Sequence, residues 1–468
     1  MATDNRGWRD ALLADLRTRY ERRFVRSRQA QERALRYLID GGSHTMRLFD
    51  PFPFRAVSAQ GSRVRDLDGH EIIDYWQGHY ANILGHNPAP ITQALAEALS
   101  AGHGLQTGIV EETQTDLAEL LLSRTGDERV RFTTAGSLAT MYCAILARAF
   151  TGRTMVIKIA GGWHGAQPLA LRGTRFGQEG FGGMDSLGLP AESASETVVT
   201  RYNDLDDLRT VFKRYGDRAA CLLIEPFLGT SGFIAATPEY LRTARELTWR
   251  HGALLICDEI ISGFRFCAAG LQKLYGVQAD LSTYGKIVGG GMPVAAVTGR
   301  ADVLALAGKA TGRKVLFEGG TYSAHPASML AGKLMLEHLV RNESTIYPQL
   351  AAAGERLRAG IEKVFADHGV LARCTGRGNE VLPGGSLIQV HFPCREDAGL
   401  DSPDLVWDPR NCDVAMREQV LKLGLLLRDV NVSHGLGALS TAHSEADLSQ
   451  TLEAFDWLAG EIARARGR

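Results

Sequence analysis

At 468 residues, with 45% apolar and 22% charged side chains, the chain is long enough for one large α/β unit with a smaller appended domain. A formal net charge of −1 removes any case for a nucleic-acid or membrane partner recognised by overall charge, so small anionic substrates must be drawn by local groups. Seven cysteines, odd in number and without a CxxC pair, give no disulfide framework and fit a reducing cytoplasm.

Residues 1 to 40 are rich in arginine, but Asp10, Asp15, Glu21 and Glu32 are interspersed, so the segment reads as a solvated helical arm and not as a nucleic-acid tail or transit peptide. No stretch approaches the length of a membrane span. Residues 41 to 85 form a segment expected to join the smaller domain. Within it, residues 61 to 75 read as a hairpin turning at Asp68-Gly69. From Pro90 onward strands and helices alternate, which predicts a mostly parallel sheet covered by helices on both faces over residues 86 to 335. The short apolar runs 155–157, 222–224 and 254–256 suit strands buried on both sides. Between the last two, Thr237 caps a helix, Pro238 fits its first turn and Gly252 ends it. Residues 336 to 468 read as a smaller α+β domain, with a helix near 348–366, a strand at 386–392 and a last helix opened by a capping box of Ser444 and Asp447.

In an open parallel sheet, ligands bind beyond the carboxyl ends of the strands. Glu225 and Asp258 stand immediately after apolar runs, and Lys286 follows in Thr283-Tyr284-Gly285-Lys286, ahead of Gly289-Gly290-Gly291. The glycine run would let the backbone turn sharply beside a flat ligand. A lysine with a strand-end aspartate is what pyridoxal phosphate asks of a protein: covalent attachment at its aldehyde and an anion against its ring nitrogen. Thr133-Thr134-Ala135-Gly136-Ser137, just before a helix, offers hydroxyls and amides to a phosphate. Glycines on both sides of Trp163-His164 leave the indole free to lie against a planar ring. There is no GxxxxGK[ST] run, which argues against a nucleotide hydrolase.

With these residues stand Asp66-Leu67-Asp68-Gly69, Leu84-Gly85-His86-Asn87-Pro88, Ala147 to Arg153 and Asp258-Glu259-Ile260-Ile261-Ser262-Gly263-Phe264-Arg265. Together they resemble the class III, fold-type I pyridoxal-phosphate aminotransferases, and within them the glutamate-1-semialdehyde 2,1-aminomutases, from about Gly41 to the final helix. The resemblance implies that Lys286 attaches the cofactor, Asp258 meets the ring nitrogen, and Gly136 with Ser137 holds the phosphate. It implies further that Trp163 replaces the usual stacking tyrosine, that Thr321 reaches the phosphate of the neighbouring subunit in a homodimer, and that Arg47 binds the substrate carboxylate. His164 and Glu225 complete the expected cofactor contacts. Arg265 and Arg428 are further candidate carboxylate partners, without motif support.

The phosphate loop departs from the family pattern, reading Ala135-Gly136-Ser137-Leu138-Ala139, and Gly435 stands where the aminomutase carries an active-site glutamate. The expectation is therefore amino-group transfer through pyridoxal phosphate and its pyridoxamine form, on a small amino, keto or semialdehyde substrate. The aminomutase-like reading leads, with an intermolecular transaminase for a β-amino or ω-amino acid as the alternative. A non-catalytic cofactor-binding module is the third, since no helix-turn-helix domain accompanies the lysine.

Overall fold

The computed structural model describes residues 7–467. Its central sheet has seven strands in the spatial order Arg129–Thr133, Ala295–Gly299, Leu281–Tyr284, Leu254–Asp258, Ala219–Ile224, Met155–Ile159 and Thr197–Thr200. Only Ala295–Gly299 runs against its neighbours; the other pairings are parallel. Every residue of the strands at 155, 219, 254 and 295 is buried, which is why the runs 155–157, 222–224 and 254–256 are apolar.

Alternation within each strand sorts the two faces. Val156, Leu223 and Ile256 pack against the helix Gly136–Thr151, while Ile157, Leu222 and Leu255 pack against the helix Pro238–His251. The second helix keeps its expected ends: Thr237 Oγ1 accepts from Tyr240 N at 3.1 Å, and Gly252 closes it at φ +63°.

The expected hairpin is present as Arg63–Asp66 and Glu71–Asp74. It belongs to a four-stranded sheet with Ala56–Gln60 and, in parallel, Val430–Asn431. The amino-terminal segment is thus stitched to the carboxy-terminal part by backbone hydrogen bonds. A third sheet joins Arg373–Thr375, Leu387–His391 and Gly437–Ala438.

Three expectations need correction. The helix Gly7–Arg23 is not a solvated arm: Leu12, Leu16, Tyr20 and, just after it, Phe24 are buried, and Arg9, Arg19 and Arg23 bridge to Asp413, Glu461 and Asp429, whereas the next helix, Val25–Ala34, buries only Ser27 and is solvated as expected. Residues 1–6 of that arm lie outside the described residues. The helix expected near 348 starts at Glu343 and carries Pro348 inside it; burial of Ile346 and Tyr347 in the first turns outweighs the one missing N–H. A division between residues 335 and 336 would cut through the helix Pro326–Arg341. The closing helix, Glu445–Arg466, has the full capping box, with Leu448 and Phe455 buried and Leu452 partly so.

Candidate active site

Parallel strands bring their carboxyl ends to one edge of the sheet, and the candidate residues collect there. Thr133 closes the strand from 129, Gly161 to His164 follow the strand from 155, and Glu225 follows Ile224. Asp258 closes the strand from 254, and Lys286 comes two residues after Tyr284.

Asp258 is the hub. Its Oδ2 lies 2.8 Å from His164 Nδ1, and its Oδ1 accepts from Thr283 Oγ1 at 2.9 Å and from Ile260 N at 3.1 Å. His164 is fully buried, and burial lowers its pKa despite the aspartate beside it. The imidazole is therefore neutral and donates from Nδ1, which makes His164 a positioning group for Asp258 and not a base. Thr283, which sequence reasoning passed over, completes the clamp; its signal was only its place across the register from Asp258.

Lys286 is half-buried and has φ +48°, in the left-handed region that costs a residue with a side chain about 1–2 kcal/mol. Burial lowers its ammonium to about 8, against the pull of Asp258 and Glu225 in the other direction. The glycine run beside it has a different use from the one expected. Gly290, at φ +60°, backs onto the helix Pro326–Arg341, where a Cβ would fall 2.4 Å from Ala331 O.

Glu225 has both oxygens engaged by backbone: Oε1 accepts from Trp163 N at 2.9 Å and Oε2 from Gly229 N at 2.9 Å. Burial and then Asp258 raise its pKa. It braces the loop that carries Trp163, whose indole is 40% exposed and so presents an open face. Lys158, also missed, fixes the same loop from below through Gly162 O, Ala170 O and Arg172 O.

At the other end, the helix Gly136–Thr151 begins at Ala135 with no side-chain cap, and a Cβ on Gly136 would come within 3.0 Å of Ile260. Thr133 Oγ1 is buried with no hydrogen-bond partner among the described residues. An uncapped helix start, an orphaned hydroxyl, an oriented carboxylate, an open indole and a depressed lysine fit a phosphorylated pyridine aldehyde.

Thr321 is exposed on a loop lying against Phe132 and Thr134 of its own chain. Arg47 is exposed in the turn Thr45–Arg47, beside His44 and His79. Arg265 is a strut: fully buried, it donates to Ile261 O, Ser386 Oγ and Tyr80 O. Arg428 stacks over Trp457, on the side of the amino-terminal helices. Gly435 has φ +100°, and a Cβ there would meet Val390 O at 2.9 Å and Arg417 Cγ at 3.0 Å.

The family described as aminotransferase class-III matches residues 47–384. The chain belongs to the class-III aminotransferases. It is a pyridoxal-phosphate-dependent enzyme of amino-group transfer, with the fold-type I architecture. The aminotransferase is 34% identical over 426 residues to a glutamate-1-semialdehyde 2,1-aminomutase of Thermoplasma acidophilum, covering 91% of this chain and 96% of that one. Among solved structures it is similar to an omega-transaminase from Sphaerobacter thermophilus, at 32% identity and TM-score 0.84, covering 94% of this chain and 98% of that one. It is also similar to a beta-phenylalanine aminotransferase from Variovorax paradoxus, at 30% identity and TM-score 0.81, covering 96% and 97%. Among the described residues of the aminotransferase no helix is long and apolar enough to cross a membrane.

Proposed function

We propose that this aminotransferase moves an amino group between two separate substrates, the donor being an amino acid with its amine at the β or ω position. The observation that carries this reading is Gly435. The aminomutase-like sequence pattern has a glutamate there, and this backbone, at φ +100° with Arg417 and Val390 packed against it, has no room for one. The transaminases named above support the same reaction class.

Bound pyridoxal phosphate supplies an electron sink for the amine-bearing carbon of the substrate. Gly136, Ser137 and Thr133 would hold its phosphate, and the exposed indole of Trp163 would lie against its ring. Asp258, oriented by His164 and Thr283, would keep a proton on the ring nitrogen. Lys286 would hold the cofactor through its aldehyde, and its amine, once free, would take a proton from the substrate carbon and return it. Its depressed pKa suits that duty, since both protonation states are accessible near neutrality. Arg47 takes the substrate carboxylate.

We infer a homodimer in which Thr321 reaches the partner's phosphate site. Leu105, Ile109 and Val110, with Leu316 and Tyr322 flanking Thr321, are exposed apolar side chains that a second copy would cover. The free thiols of Cys143, Cys221, Cys257, Cys267, Cys374 and Cys412 support a cytoplasmic setting.

The aminomutase reading is favoured by the 34% identity to the Thermoplasma enzyme. One assay separates the two: enzyme loaded with pyridoxamine phosphate receives glutamate-1-semialdehyde and no other amine, and 5-aminolevulinate is followed. Sustained turnover would establish the aminomutase. Absence of product, from enzyme whose cofactor spectrum converts with another carbonyl acceptor, is the expected result. Lys286→Ala that still turned over at the wild-type rate would overturn both and leave a cofactor-binding module.

A further inference from the structure

Four consecutive residues, Gln77, Gly78, His79 and Tyr80, have φ of +42°, +62°, +61° and +67°. This is a full left-handed turn, and three of its members have side chains that resist such a conformation at about 1–2 kcal/mol each. The turn is held at both ends. Asp74 accepts from Trp76 N at 3.0 Å and Gln77 N at 2.9 Å at the entry, and Tyr80 O accepts from buried Arg265 at the exit. A conformation this unfavourable persists because its surroundings enforce it, and it points to a side chain that has to be placed.

That side chain is His79. The turn packs against the segment Lys286–Gly289 on one side and against Gly437–Ala438, just beyond Gly435, on the other. The ring sits edge-on between Trp76, with centroids 4.2 Å apart, and His44, at 4.5 Å. Its Nε2 is buried and has no hydrogen-bond partner among the described residues. Burial first, then the neighbouring ring of His44, the charges of Lys286 and Arg47 and the ring of His434, hold it neutral, near a pKa of about 3. A neutral ring among cations keeps an N–H to offer, and the species that satisfies both it and the cations is an anion.

Resting on the amino-transfer reading above, we propose that His79 is a specificity-determining residue that hydrogen-bonds the carboxylate of the amino-acid substrate, which Arg47 attracts, and so fixes that substrate over Lys286. Arg47 is exposed, whereas His79 is fixed by its backbone and its two aromatic neighbours. The guanidinium supplies charge and the imidazole supplies direction.

The test uses the holoenzyme with a panel of β- and ω-amino acids and, for each, the amine lacking the carboxylate. Cofactor conversion is followed spectrally, with KM and kcat separated. Wild type that converts with no donor of the panel would overturn the amino-transfer reading and this proposal with it. Given conversion, two variants are compared. Glycine accepts the left-handed conformation freely and asparagine accepts it while keeping an N–H, so both should fold and retain the cofactor spectrum. His79→Gly should raise KM for the amino acid about 10- to 100-fold, the value of a hydrogen bond to a charged group, and leave KM for the matched amine within about twofold. His79→Asn should recover most of the loss. Equal effects on acid and amine, no effect on either, or an asparagine variant no better than glycine would overturn the proposal.

Discussion

The imidazole of His164 and the carboxylate of Asp258 form one buried unit, with Nδ1 2.8 Å from Oδ2. The histidine leaves Asp258 no freedom to rotate, and Thr283 fixes the other oxygen. Thr283→Val keeps the volume and removes only that hydrogen bond. It should weaken cofactor binding about tenfold, as a bond to a charged group is worth about 1.5–3 kcal/mol, of which Ile260 N retains part. Asp258→Asn should lower kcat by about 10²–10³, the range for removing a preorganised electrostatic partner. Cofactor titration by quenching of tryptophan fluorescence and steady-state kinetics check the two.

Lys286 must lose a proton before it attacks an aldehyde. Its amine is held at about 8 by burial, so the rate at which apoenzyme captures added pyridoxal phosphate should rise with pH and level off above that value. An unperturbed lysine would keep rising toward about 10.4. Stopped-flow absorbance across the pH range decides between the two shapes.

Restoring a glutamate at Gly435 should damage the fold before it can alter specificity. Both the left-handed φ and the contacts to Val390 O and Arg417 Cγ oppose a side chain. Gly435→Ala should already cost at least about 1 kcal/mol and Gly435→Glu more, read as a falling urea midpoint.

Glu418 lies between Arg417 Nε, at 2.7 Å, and His434 Nδ1, at 2.8 Å. Burial by itself would raise its carboxyl, but His434 and Arg417 outweigh burial and hold it at about 2. A depressed carboxyl contributes stability that is present above the unfolded value of about 4.3 and is lost as pH falls through the folded one. The contribution at neutral pH is on the order of 3 kcal/mol. Urea midpoints of wild type should therefore drop between about pH 5 and about pH 3 more steeply than those of Glu418→Gln.

The exposed side chains at 109 and 110 give the dimer a direct check. Val110→Glu should shift sedimentation toward monomer and lower cofactor affinity, because Thr321 would no longer reach a second site. A monomeric variant with unchanged affinity would remove Thr321 from that role.

The central sheet was legible because burial on both faces forces apolar runs, and a polar residue ending such a run marks the ligand edge. Glu225 and Asp258 were flagged on that ground, whereas Lys286 was picked out by the glycines around it and by the resemblance to the aminotransferases. The left-handed turn at 77–80 was not legible: only Gly78 hints at it, and the enforcing contacts from Asp74 and Arg265 are tertiary. Arg265 looked like a ligand because an arginine in a motif has no visible burial; in the fold its donors are engaged by backbone. The first helix misled for the opposite reason. Its many arginines hid a stripe of Leu12, Leu16, Tyr20 and Phe24 on a face that packs against the helices Leu421–Leu426 and Glu445–Arg466 and against Phe49, Phe52 and His70.

Two lysines lie at this edge of the sheet, and only one is open to reaction. Lys158 is completely buried, and its Nζ is enclosed by Gly162 O, Ala170 O and Arg172 O at 2.7–3.0 Å, one acceptor for each proton of an ammonium. Burial pulls its pKa down to about 7, as it lowers that of Lys286, so it is the enclosure by three carbonyls, and not a retained charge, that keeps its nitrogen from an aldehyde. The fold thereby edits its own chemistry: a carbonyl reagent entering the cleft meets a single nucleophile, and mass spectrometry after reductive labelling should find the tag on Lys286 alone of the two.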